Sequence, residues 1–128
     1  MFKITYLWSK FCKKLPLSAI KNSRFEKPSK AEARSTVINS KMGRYSYCGY
    51  NCTIINAEIG RFTSIGDNVV IGAANHPLEW ISTSPAFYYG KDSIPKNLAK
   101  LSYDASPAKT RIGNDVWIGR DVLVRGGG

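Results

Sequence analysis

From Phe25 onward the larger apolar residues recur in steps of six, six and five, a spacing that limits the possible folds more than any other feature of the chain. The positions are Phe25, Ala31, Val37, Met42, Cys48, Ile54, Ile59, Ile65 and Ile71. Neither the helical period nor the simple alternation of a half-buried strand produces that series. A repeat of 17 residues does: aligned on it, Phe25, Met42 and Ile59 stack, as do Ala31, Cys48 and Ile65, and Val37, Ile54 and Ile71. Each stack predicts a ladder of inward side chains, and each repeat predicts one coil of three short strands. Such a coil cannot bury its apolar side alone, so coils must stack at the ~4.8 Å spacing of hydrogen-bonded strands and share a core. The expected fold class is all-β, a parallel β-helix.

Companion positions carry the same period. Glycine follows the anchor at Gly43, Gly49, Gly60, Gly66 and Gly72, and a small or β-branched residue stands at Ser46, Cys52, Thr63 and Val69. Glycine is expected at the corners because a sharp turn favours a backbone conformation that a Cβ penalises, while the small residue fills the tapering interior. The pattern resumes at Ile112, Ile118 and Val124, with Gly113 and Gly119 following the first two and Val116 and Val122 in the small positions. Residues 25–128 therefore read as one β-helix domain interrupted by an excursion over residues 77–110. That excursion holds Pro77, Pro85, Pro95 and Pro107 among Trp80, Phe87, Tyr88, Tyr89 and Tyr103. A long loop within a compact repeat usually covers or builds a site, and rigid aromatic surface suits small molecules or partner chains. Residues 96–100 have room for one helical turn.

Residues 1–24 form a basic arm. The formal charge of +10 is concentrated here: Lys3, Lys10, Lys13, Lys14, Lys21, Arg24, Lys27 and Lys30 face only Glu26 within the first thirty residues. Ile4, Leu7, Trp8, Phe11 and Leu15 recur at helical spacing, and Pro16 follows as a stop, so a short amphipathic helix is predicted. It is expected to pack against the main domain or a neighbouring subunit, with an anionic membrane surface as the second reading. A nucleic-acid partner is not expected. No apolar run approaches the ~20 residues of a spanning helix. Three cysteines, Cys12, Cys48 and Cys52, without a cleavable leader fit a reducing cytoplasm. Cys48 and Cys52 lack the further cysteines or histidines of a zinc set, so no metal is expected.

Counting five on from Ile71 reaches the next anchor, and His76 stands there, within Asn75-His76-Pro77. The only histidine of the chain thus replaces an apolar plug where the wall ends and the excursion departs. Two readings stand open, a turn residue hydrogen-bonded beside Pro77 or a base. Histidine, with an unperturbed pKa near ~6.5, is the side chain best matched to accept a proton at neutral pH. A hydrolytic triad is disfavoured because the repeat offers no glycine-flanked serine elbow. A three-histidine zinc site is excluded by the count of one.

Three stretches in this order, Ile59-Gly60-Arg61-Phe62-Thr63-Ser64-Ile65-Gly66, Asn75-His76-Pro77 and Ile112-Gly113-Asn114-Asp115-Val116-Trp117-Ile118-Gly119, resemble the hexapeptide-repeat acyltransferases, in their xenobiotic and sugar O-acetyltransferase branch. The resemblance covers roughly residues 20–128. It implies a left-handed β-helix, an exception to the right-handed crossover rule. It also implies a homotrimer with acetyl-CoA, the acyl donor, in the groove between neighbouring subunits. His76 would be the general base toward a hydroxyl of a sugar, in a polysaccharide or lipopolysaccharide precursor or a similar small acceptor. Asn75, Trp80, Phe87 and Tyr88 would bind the acceptor, and Trp117 and Gly119 would border the cofactor. A cytoplasmic location follows, peripheral to the inner membrane face if the arm touches lipid. Members of the family continue for several coils beyond the point matching Gly128, so the chain reads as shortened in mid-coil, with an open strand edge. The alternative is a catalytically silent β-helix that serves as an assembly or interaction module.

Overall fold

The computed structural model describes residues 2–89, 101–104 and 108–127. After a helix α1 (Phe2–Lys14), the chain winds in coils of three strands. The first coil holds β1 (Ala19–Lys21), β2 (Arg24–Phe25) and β3 (Lys30–Ala31); the second holds β4 (Thr36–Ile38), β5 (Lys41–Met42) and β6 (Tyr47–Cys48). The third holds β7 (Thr53–Ile55), β8 (Ala57–Ile59) and β9 (Ser64–Ile65), and β10 (Val70–Ala73) opens the fourth. The excursion intervenes with a short parallel pair, β11 (Tyr88–Tyr89) and β12 (Leu101–Ser102). The winding then resumes with β13 (Thr110–Ile112), β14 (Trp117–Ile118) and β15 (Leu123–Arg125).

Three parallel sheets result: β1-β4-β7-β10-β15, β2-β5-β8-β13 and β3-β6-β9-β14. This is the parallel β-helix expected, and its registers are those of the ladders. Phe25 pairs with Met42, Met42 with Ile59 and Ile59 with Ile112. Ala31, Cys48, Ile65 and Ile118 form the second ladder, and Val37, Ile54, Ile71 and Val124 the third. The inner members are sealed, and full burial of each large aliphatic side chain contributes about 1.5–3 kcal/mol. Phe25, Ala31, Ile112 and Val124, in the end coils, are only partly covered.

The winding begins before Phe25. Ile20, five residues earlier, pairs with Val37, so strand β1 lies inside the segment read as the arm. At the far side of the excursion Thr110, placed in the loop by the sequence, already pairs with Ala57. The turn expected over residues 96–100 lies outside the described residues. Helix α1 ends at Lys14 because Pro16 has no amide proton and disfavours helical geometry in Leu15 before it. Among the described residues no helix is long and apolar enough to cross a membrane.

Of the corner glycines Gly72 alone has the positive φ expected, and Gly43, Gly49, Gly60 and Gly66 have a different cause. Positive φ falls on Tyr45, Asn51, Phe62, Asn68, Asp115 and Asp121, not on the glycines two residues before them. What the glycines satisfy is the closeness of the next coil: a Cβ on Gly43 would lie 2.6 Å from the carbonyl carbon of Gly60, and one on Gly66 2.7 Å from the amide nitrogen of Arg120. Asparagine tolerates the left-handed corner and also joins corners laterally. Asn51 Nδ2 donates to Asn68 Oδ1 at 2.7 Å, and Asn68 Nδ2 to Asp121 Oδ1 at 3.1 Å.

The small interior residues do more than fill space. Ser46 Oγ donates to the Gly60 carbonyl at 2.6 Å and accepts from the Thr63 amide at 2.9 Å. Ser35 repeats the arrangement with the Gly49 carbonyl and the Cys52 amide, at 2.9 and 3.2 Å. Each hydroxyl thus ties its coil to the next through buried backbone groups. Replacing Ser46 with alanine should destabilise the chain by about 1–3 kcal/mol, the cost of leaving such groups unpaired. A shift of the urea midpoint corresponding to less than ~0.5 kcal/mol would show that the bonds contribute nothing net.

Candidate functional site

Within strand β10, Gly72 at φ +81° takes up the register shift between Ile71 and Ala73 in a conformation that side chains resist. The chain leaves the wall at Ala74, and Asn75 and His76 fall on the corner between the sheet of β10 and that of β13. Pro77 is buried, whereas the His76 ring is exposed. The imidazole therefore sits at the rim of the prism and not in its interior.

One bond orients the ring. His76 Nδ1 lies 3.1 Å from the Thr83 carbonyl oxygen, seven residues on. A carbonyl can only accept, so Nδ1 carries the proton and Nε2 presents its lone pair. Among the described residues no group bonds Nε2. A ring held in this tautomer at an open rim can take a proton from an approaching hydroxyl, and the Thr83 oxygen remains in place to support the imidazolium that forms.

Asn75 is beside it, with Oδ1 accepting from Arg125 Nη2 of β15 at 3.5 Å. The Gly126 amide bonds the Ala73 carbonyl at 3.4 Å, so the last described coil closes one side of the corner. The excursion provides the other side. Trp80, Tyr88 and Tyr103 meet edge to face, with centroids 5.4 to 5.9 Å apart, around a Tyr88 ring that is 1% exposed. Tyr88 thus belongs to the packing of the excursion itself and has no free face for an acceptor. Phe87 ends a short 3₁₀ turn, Pro85–Phe87, capped by Ser84, and is half exposed. Of the aromatics expected to bind an acceptor, Phe87 and Trp80 keep surface open to solvent.

Trp117 stands out from β14 with 83% of its surface exposed, but in the sheet that does not meet the His76 corner. Gly119 lies on the corner after it, where an added Cβ would meet nothing within 4 Å. One copy of the chain therefore brings together His76, Asn75 and Arg125, with Trp80 in the adjoining turn, and leaves Trp117 and Gly119 on another face. The sequence did not reveal Thr83 or Arg125, since both reach the corner by chain return and carry no motif. Cys48 is a rung of the interior, and Cys52 Sγ donates to the Gly66 carbonyl at 3.1 Å. Among the described residues no three His, Cys, Asp or Glu side chains converge.

At the foot of the excursion Glu58 is bracketed by Lys109 and by Arg111, whose Nε is 3.4 Å away. The Lys109 ammonium, with Arg111 behind it, holds the Glu58 carboxyl below its ordinary range. These pairs pin the returning chain beside β8 and involve no atom of the imidazole corner. The fold and corner together define a parallel β-helix with a single rim imidazole. No known family model matches the chain, and no curated protein or solved structure matches it.

Proposed function

We propose that the chain is an acetyl-CoA-dependent O-acetyltransferase of the hexapeptide-repeat lineage, working in the cytoplasm as a homotrimer of left-handed β-helices on a hydroxyl of a sugar or similar small acceptor. The observation that carries this reading is His76: an anchor of the ladder replaced by an imidazole, exposed at the rim, with Nδ1 bonded to Thr83 and Nε2 open. Nε2 takes the hydroxyl proton as the acceptor oxygen attacks the thioester carbon. The carbon–sulfur bond then breaks, and the imidazolium returns the proton to the departing thiolate, giving ester and free CoA. Trp117, on a face that His76 of the same chain does not share, suits a cofactor groove completed by a neighbouring copy. Asn75, Trp80 and Phe87 are the candidates for holding the acceptor.

A second reading is the silent assembly module, the same β-helix without the chemistry. Titration with acetyl-CoA separates the two. Trp117 should report binding as a saturable change in tryptophan fluorescence, absent from the Trp117→Phe variant. A flat response at millimolar cofactor would end the enzyme reading in favour of the module.

A further inference from the structure

Helix α1 turns its apolar side away from the protein. Ile4 and Trp8 are 74% and 65% exposed, and Leu7, Phe11 and Leu15 are each more than half exposed. The helix touches the β-helix through its other side, where Lys13 Nζ lies 4.1 Å from the centre of the Tyr50 ring. At the helical repeat, Lys13 projects roughly opposite the stripe of Ile4, Leu7, Phe11 and Leu15. Packing on its own domain, one half of the first expectation for this segment, thus does not account for the stripe. Trp8 and Phe11, with centroids 5.9 Å apart, extend it into a contiguous aromatic-aliphatic surface of the kind that marks an interaction site.

The charges decide among occupants. The helix, FKITYLWSKFCKK, contains four lysines and no acidic residue. Lys3, Lys10 and Lys14 flank one edge of the stripe at helical spacing. A second copy of the helix laid on the stripe would set lysine against lysine with no acidic residue between them. A surface apolar just below its boundary and anionic above it satisfies both halves of the helix, with tryptophan and phenylalanine at the boundary and lysines reaching back to headgroups. We propose that α1 is a membrane-docking element that lies flat on an anionic lipid surface, with Ile4, Leu7, Trp8, Phe11 and Leu15 inserted among the acyl chains.

The test is co-sedimentation of the whole chain with vesicles of phosphatidylcholine alone or mixed with phosphatidylglycerol. Binding should require the anionic lipid, weaken as salt is raised, and shift tryptophan emission to the blue in the parent but not in Trp8→Phe. Replacing Lys3, Lys10 and Lys14 with glutamine should lower the bound fraction at least about tenfold at low salt, and Leu7→Ser with Phe11→Ser should abolish binding. These side chains lie outside the shared core, so circular dichroism of the β-helix should be unchanged. Equal sedimentation with neutral and anionic vesicles, or no sedimentation at low salt, would overturn the proposal. A change of oligomeric state in the Leu7→Ser, Phe11→Ser variant with vesicle binding retained would assign the stripe to a second copy and overturn it equally.

Discussion

Replacing His76 with alanine is expected to lower acetyl transfer by about 10²–10⁴-fold, the usual worth of a general base. The loss should appear in kcat with little change in KM, because the proton moves only in the transition state. The exposed ring contributes nothing to the ladders, so the parent and variant should unfold at closely similar urea concentrations. That separation makes the measurement decisive: an inactive but equally stable variant assigns the defect to chemistry. A variant within threefold of the parent would remove the imidazole from the reaction, leaving it as the ring that closes the turn onto Thr83.

The ladders could be read from the chain because each anchor meets its counterpart one repeat away, and a fixed period is visible without knowing where any side chain points. Ile20 obeys the same rule one step of five before Phe25. It was missed because a basic segment dominated the reading of its surroundings. Size was legible at Ser46 and Thr63, but direction was not, and Ser35 one coil earlier behaves as they do. Their oxygens bond the next coil's backbone, a geometry that exists only once the coils are stacked. The corner glycines show the same limit. Their positions were evident, yet local turn conformation is the cause only at Gly72, and the contact that requires Gly43, Gly49, Gly60 and Gly66 comes from residues as far along the chain as Arg120.

The site divides along the same line. His76 stood out because it broke a periodic rule, whereas its partner Thr83 and its neighbour Arg125 obey none and are brought in by the excursion and the last coil. Aromatic content drew attention to the excursion but could not assign its rings. Tyr88 is taken up by Trp80 and Tyr103, a competition between packing and binding that composition cannot resolve. Trp117 was expected to face outward, and it does; which corner it shares depends on the three-sheet topology.

Two glycines one coil apart offer a direct test of what holds the coils together. Gly60 and Gly113 follow the paired anchors Ile59 and Ile112, and neither has a positive φ. A Cβ on Gly60 would lie 2.5 Å from the Gly113 carbonyl oxygen and from Asn114 Oδ1, far inside the ~3.5–4.0 Å of favourable contact. Relieving that clash means lifting the next coil, which strains the Gly60 amide bond to Ile112 at 2.9 Å and the Arg61 amide bond to Asn114 at 2.8 Å. Overpacking of this kind costs ~1–3 kcal/mol, and two weakened bonds add ~0.5–1.5 kcal/mol each. Gly60→Ala should therefore lower stability by about 3 kcal/mol or more, and the thermal midpoint by about 10–20 °C. At Gly113 an added Cβ meets nothing within 4 Å. Gly113→Ala should be neutral, or stabilise by ~0.4–1 kcal/mol through the narrower unfolded ensemble. If corner conformation were the cause, the two substitutions would cost the same, because the two residues occupy equivalent corners. Equal losses in urea denaturation would thus refute the close approach of stacked coils as the reason for glycine, and opposite signs would locate that reason in the neighbouring backbone.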